Sequence, residues 1–314
     1  MKGLDTLTGF GLGLAATLLL FFAGLRVPFL GLAAVPLVVY PALFVGVRLG
    51  RQPGQLLPLA VAVCVYALAG LEATAAYLVF ALVTYLLFLS FGRGWNLATV
   101  VSGTAGLTVA AMLVTATALA GSLSALWTAL QTGAEAQVLM TLEVYERVGL
   151  PDETIEYLRE HAGEMAALFV RMLPGMIFFM LVIVVLANLA LLSWHFPQYR
   201  SFFCHVGDLK EWKSPDHMVW FLLAPGIALF LPLGDALRAL ALNLVLICTV
   251  FYFFHGLAIV SYYFHYKKVP MFFRVLGYLL IVFEQILTVL VIGLGFFDLW
   301  GDFRRLKRRT EGLT

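Results

Sequence analysis

The sequence predicts an all-α fold: a polytopic transmembrane helical bundle of eight membrane segments, or nine, with an extramembrane amphipathic helical insert. Three observations predict it. Hydrophobic residues make up 62% of the 314 and charged residues only 12%, with a mean hydropathy of +0.96, whereas soluble domains carry about 25% charged residues. Apolar runs of about 20 residues recur along the whole chain, the length a helix needs to cross a bilayer. The runs are continuous and not alternating, which argues against a β-barrel.

The segments follow in order. The first, Thr6–Leu25, comes soon after Lys2, as in a signal peptide, but it lacks a small-residue cleavage site and more spans follow at once. It reads as a retained helix. Gly9 and Gly13, and Gly11 and Ala15, form small-xxx-small pairs that let a second helix approach closely, either inside the bundle or on a separate membrane subunit. Next come Phe29–Val47, Gln55–Gly70, Ala73–Phe91 and Leu97–Ala120.

Gly121 to Glu164 is not membrane-spanning. Leu123, Trp127, Leu130, Ala134, Val138, Leu142, Tyr145 and Val148 recur at helical spacing, and Leu150-Pro151-Asp152 ends that helix. A second helix follows, with Ile155, Leu158, Ala162, Met165 and Phe169 on one face. Glu135 to Glu164 holds eight acidic residues against Arg147 and Arg159. Anionic lipid would repel such a face. The insert is expected to pack over the bundle, to dock a partner or to act as a lid.

The C-terminal part adds Ala166–Trp194, Met218–Leu233, Ala236–Phe264 and Phe272–Leu299. The run at 218–233 is the weakest, being short and holding Pro225 and Pro232. If it does not cross and both termini are cytoplasmic, Lys2, Arg48, Arg51, Arg93, Arg200, Lys210, Lys213, Arg238 and Arg304, Arg305, Lys307, Arg308 and Arg309 all lie inside. That asymmetry favours eight crossings; with nine, the basic residues split almost evenly. The domain reading is an N-terminal membrane region over 1–120, the insert over 121–165, a C-terminal membrane region over 166–303 and a basic cytoplasmic tail over 304–314. The expected location is a bacterial cytoplasmic (inner) membrane.

Candidate site residues are few. Glu284 sits midway along the last apolar run, where a charge costs about 3 kcal/mol to insert, and Gln285 is beside it. His255 and Asn243 lie twelve residues apart in the preceding span, and Asn188 lies in the span at 166–194. Antiparallel packing of the last two spans would bring Glu284 near His255, a pair suited to a proton or a polar ligand. Interhelical hydrogen bonding, at about 1 kcal/mol each, is the alternative for the Asn, Gln and His residues. Asp298 and Asp302 share a helix face near Trp300, and Arg305 can pair with Asp302. They form a membrane-exit anchor or dock a partner.

Trp194, His195, Cys204, His205, Asp208, Trp212, Asp216 and His217 cluster in one loop, but their spacing matches no metal-ligand pattern. Ser214-Pro215-Asp216 reads as a helix start. The three cysteines are widely spaced and suggest no disulfide framework. No G-x-S-x-G, H-E-x-x-H or Walker sequence is present. A net charge of +2 offers nothing to nucleic acid. No catalytic residue, cofactor or metal is expected.

Two stretches carry a resemblance. Gly31-Leu32-Ala33-Ala34-Val35-Pro36-Leu37 continues through Gly46-Val47-Arg48-Leu49-Gly50. Phe254-His255-Gly256-Leu257-Ala258-Ile259-Val260, Val269-Pro270 and Phe297-Asp298-Leu299-Trp300 follow near the C-terminus. In order and spacing the chain resembles, over nearly its full length, the YybS-like family of uncharacterised bacterial membrane proteins. That resemblance implies a fold and no activity. More distantly, the first six spans are similar to the six-helix S components of energy-coupling-factor vitamin transporters, which meet a membrane coupling subunit through small-xxx-small faces. The acidic insert and the extra C-terminal helices depart from that plan, so no vitamin-binding residue carries over.

Three functions remain open. The first is a solute-binding or transport-related component, which implies a small-molecule ligand and another membrane subunit besides the lipid bilayer. The second is a non-enzymatic envelope scaffold or assembly factor. The third is an intramembrane enzyme, for which Tyr278 and Thr288 near Glu284 form no recognised dyad.

Overall fold

The computed structural model describes residues 2–27, 31, 34–149, 151–205 and 212–304, with side chains from Thr6 onward. The Arg305 pairing, most of the basic tail, Leu150, Asp208 and Lys210 lie outside the described residues. Twelve helices are described: α1 Lys2–Arg26, α2 Tyr40–Leu49, α3 Arg51–Ser90, α4 Leu97–Ala120, α5 Leu123–Val148 and α6 Asp152–Glu160, then α7 Ala162–His195, α8 Arg200–Phe203, α9 Met218–Ala228, α10 Asp235–Tyr266, α11 Met271–Phe283 and α12 Gln285–Gly301.

Five helices are long and apolar enough to cross a membrane (α1, α3, α4, α7 and α10), and α11 with α12 would make a sixth. The expected count of eight or nine is not confirmed. Three physical reasons account for most of the difference, and the rest is that the two runs expected at 55–70 and 73–91 form one 40-residue helix, α3. The run expected at 29–47 yields only the ten-residue α2 after a short 3-10 turn at Val35–Leu37. The run at 218–233 yields the eleven-residue α9. The last run is not one rod: α11 and α12 meet at Glu284 with a bend of 100°.

The 40-residue α3 needs separate treatment. Gly70 leaves helical geometry, with φ 79° and ψ −169°, a conformation glycine adopts at least cost. The hydroxyl of Tyr85 donates to the Gln55 carbonyl at 2.6 Å. In an unbroken helix these residues would lie roughly 45 Å apart. The arms 51–69 and 71–90 therefore fold back on each other, close to where the sequence separated Gln55–Gly70 from Ala73–Phe91.

The chain forms two compact units, one of residues 1–121 and 177–206, the other of 122–176 and 207–314. In the first, Phe21, Val38, Ala42, Val45, Leu57, Val61, Val65, Tyr77 and Ala81 make the core. Phe21 meets Tyr77 edge-on at 5.5 Å. Leu7, Leu12 and Leu19 of α1 are exposed, as lipid-facing positions of a span would be. A Cβ on Gly9 would sit 2.8 Å from Leu49, and one on Gly13 2.7 Å from both Leu57 and Val45. These glycines thus let α1 close against α2 and α3. Thr17, Thr84 and Thr108 return their hydroxyls to carbonyls four residues back, which satisfies them without water.

In the second unit α5 and α6 form the insert. Ser122 caps α5 by accepting from the Ala125 N–H, and Gly149 ends it in the left-handed region. Leu142 and Ile155 are buried, and Arg159 pairs with Glu146. Elsewhere in this unit the approach of α10 to α12 is tighter than any in the first. A Cβ on Gly256 would overlap the Val291 carbonyl, and one on Gly295 the Tyr252 carbonyl. Backbone touches backbone there.

Candidate functional site

The second unit holds a buried charge cluster at the end of α12. α12 stops at Gly301 because Asp302 turns left-handed, with φ 36° and ψ 53°, a conformation aspartate tolerates better than most residues. The Asp302 N–H still reaches the Asp298 carbonyl at 3.0 Å. The turn then aims the Phe303 N–H at Asp298 Oδ1, 2.7 Å away. It also brings Arg304 back, so that its Nη2 donates to Asp298 Oδ2 at 3.1 Å.

α10 supplies the rest. His255 Nε2 lies 3.0 Å from the same Oδ2. Oδ2 thus accepts from the imidazole and the guanidinium together. Nη2 is also 3.0 Å from Nε2; with the Nε2 proton committed to Asp298, these are two donors held close by the carboxylate they share. Arg304 Nη1 donates to the Trp212 carbonyl at 3.0 Å, and the Trp212 ring meets the His255 ring edge-on at 6.1 Å. Tyr263 adds a hydrogen bond to the Phe303 carbonyl at 2.8 Å. His255, Asp298 and Arg304 are each only 2% exposed.

Chemically this is a closed ion pair. Asp298 accepts three hydrogen bonds, from His255, Phe303 and Arg304. His255 Nδ1 is buried and has no hydrogen-bond partner among the described residues. The cluster latches the C-terminal turn to α10.

The structure thus joins two of the expected residues, His255 and Asp298, but gives His255 a different partner from the expected Glu284. Glu284 and Gln285 are exposed at the α11–α12 bend, and the Glu284 side chain does not cap α12. The two asparagines cross-link helices. Asn243 Oδ1 accepts from the Gly175 N–H at 2.6 Å, and its Nδ2 donates to the Arg171 and Ala239 carbonyls, each at 2.7 Å. It therefore serves both ends of one helical step, 171 to 175, next to Pro174. Asn188 Nδ2 donates to the Pro36 and Val184 carbonyls, each at 2.6 Å.

Sequence reasoning missed Arg304 and Trp212 as members of the cluster. The signal was the short Asp298-to-Arg304 spacing across a helix end, which the basic run after it obscured. It also missed a cavity in the first unit. About 570 Å³ opens there among Thr8, Leu12, Ala16, Tyr40, Phe44, Arg48 and His195, with Gly9 and Gly13 in its wall. The Tyr40 hydroxyl lies 2.9 Å from His195 Nδ1. The Arg48 guanidinium stands over the Phe44 ring, 5.9 Å from its centre. Further along, Cys204 is buried. Burial pushes its thiol pKa up, more than the nearby Arg200 charge lowers it, so it is a poor thiolate donor.

No curated protein and no solved structure matches this chain. No comparison extends to S components. Residues 15–299 match a family described as "Predicted membrane protein (DUF2232)". With that much of the sequence covered, and with several helices composed and sized to span a membrane, the chain belongs to this family of membrane proteins.

Proposed function

We propose that the protein is a solute-binding or transport-related component of a bacterial inner membrane, with both termini cytoplasmic and a second membrane subunit as its working partner. One observation carries the reading: the last apolar stretch is broken by 100° at Glu284. Discontinuous helices of this kind build ion and substrate sites in transporters, and non-helical backbone at membrane depth is tolerated where it lines a water-filled cavity. An exposed carboxylate and an exposed carboxamide stand at the break. A charge there is tolerable if water, a proton or a ligand meets it. Glu284 and Gln285 are the proposed ligand or proton contacts.

The test is access from water. With Cys64, Cys204 and Cys248 replaced by serine, a Glu284→Cys variant in sealed membrane vesicles should react with a charged thiol reagent. Labelling no faster than at the lipid-facing control Leu19→Cys would remove the reading. Mass spectrometry of the purified protein should then find a small solute whose occupancy falls in Glu284→Gln.

A second reading, an envelope scaffold, draws on the insert. Leu139, Met140, Val144 and Tyr145 are exposed on α5, among many carboxylates. A stable protein partner lost on deleting residues 123–160, with no co-purifying solute, would favour it.

A further inference from the structure

The cavity of the first unit is independent of the break at Glu284. α1, α2 and His195 at the end of α7 line it, and the stretch 88–97 is hydrogen-bonded to the residues that follow His195. Gly92 N–H donates to the Phe202 carbonyl at 2.8 Å, and His205 N–H to the Trp95 carbonyl at 2.7 Å. Tyr40 joins His195. The segments 40–51, 88–97 and 192–205 contain four arginines and two histidines with no aspartate or glutamate, and α1 adds Lys2 and Asp5. They are also rich in Trp, Tyr and Phe, the mixture found where a span meets the headgroup layer.

The cavity has two kinds of wall. Leu12, Ala16, Phe44 and Val45 are apolar, while Thr8, Tyr40, Arg48 and His195 are polar. Among the described residues Arg48 has no carboxylate partner; its contact is the Phe44 face. Stacked there, the guanidinium keeps its hydrogen-bonding edge for a ligand. Tyr40 occupies His195 Nδ1, which leaves Nε2 as the imidazole nitrogen open to a ligand. The volume falls within the range of small-molecule sites.

We infer that this cavity binds an amphiphile with an acidic head group, the head held by Arg48 with His195 and Tyr40, and the apolar body lying along Leu12, Ala16, Phe44 and Val45. Arginine suits a phosphate or carboxylate because its fork makes two parallel charge-assisted hydrogen bonds. A basic pocket between spans at the headgroup level is a site for anionic lipid.

The full chain, purified in dodecyl maltoside, tests this with dodecyl phosphate as the probe, read by the thermal midpoint and by adduct counting in native mass spectrometry. Dodecyl phosphate should bind and raise the midpoint against the excess of the neutral detergent of equal chain length. Inorganic phosphate should not. Arg48→Gln should weaken binding roughly tenfold or more, and Tyr40→Phe about threefold. Arg48 is exposed, so its variant should keep the unliganded midpoint. Arg93→Gln, on the same basic end but outside the cavity, should bind as the parent does. The inference is overturned if dodecyl phosphate fails to bind, if inorganic phosphate does as well, or if Arg93→Gln loses as much as Arg48→Gln. Displacement by phosphatidylglycerol in nanodiscs identifies the bilayer as the source, and persistence of the probe points to a smaller acidic amphiphile.

Discussion

His195 and His255 each stand beside an arginine and aromatic rings, yet the two units use them differently. His255 is sealed: one ring nitrogen is committed to Asp298, the other has no partner, and Arg304 and Trp212 close over the site. His195 is exposed beside a cavity, with one nitrogen tied to Tyr40 and the Arg48 guanidinium nearby, which has no carboxylate partner among the described residues. Around His255 the fold pairs the charges and seals them from water; around His195 it leaves polar groups facing a cavity. A functional group is recognised by what the fold leaves unused as much as by its residue type.

The comparison breaks most visibly at Asp298. Its replacement by alanine leaves the Arg304 guanidinium buried without a counter-charge, which costs about 3–5 kcal/mol. Unfolding in a denaturing-detergent titration should show that loss. The double variant Asp298→Leu with Arg304→Leu should recover most of it, because a buried pair replaced whole by apolar groups is often neutral. If the single variant is as stable as the parent, the cluster is not a latch.

The helix crossings sharpen the contrast next. Gly256→Ala must push the α12 backbone away, since the new methyl would overlap a carbonyl. The expected loss is about 3 kcal/mol, the upper end for overpacking. Gly13→Ala meets only the ends of the Leu57 and Val45 side chains, which can rotate, so about 1 kcal/mol is expected. Gly11→Ala, with open space around it, should be silent. Thermal midpoints of the three variants should fall in that order.

Much of this was legible in the sequence, and the failures have physical causes. The helical class, the helices of the insert and the separation of 55–70 from 73–91 were readable because composition and periodicity are local signals. The small-residue face of α1 was also readable, and Gly9 and Gly13 serve packing within their own unit. The partner of His255 was not. Pairing it with Glu284 assumed one straight helix through 272–299, and the bend at 284 removes that premise. Arg304 looked like the first residue of a solvated tail. Only the left-handed turn at Asp302, a single dihedral choice, brings it back into the protein.

A small effect is also expected at the residue that looked most costly. Glu284 is exposed, its side chain does not cap α12, and its carbonyl accepts from the Thr288 N–H. Glu284→Gln keeps the shape and removes the charge, so stability should change by less than about 0.5 kcal/mol. Solute occupancy, if this is the binding position, should nonetheless fall. A stability loss approaching that of Asp298→Ala would mean that Glu284 is as fully consumed by the fold as the buried cluster is. The bend would then be structural, and the transport reading would lose its support.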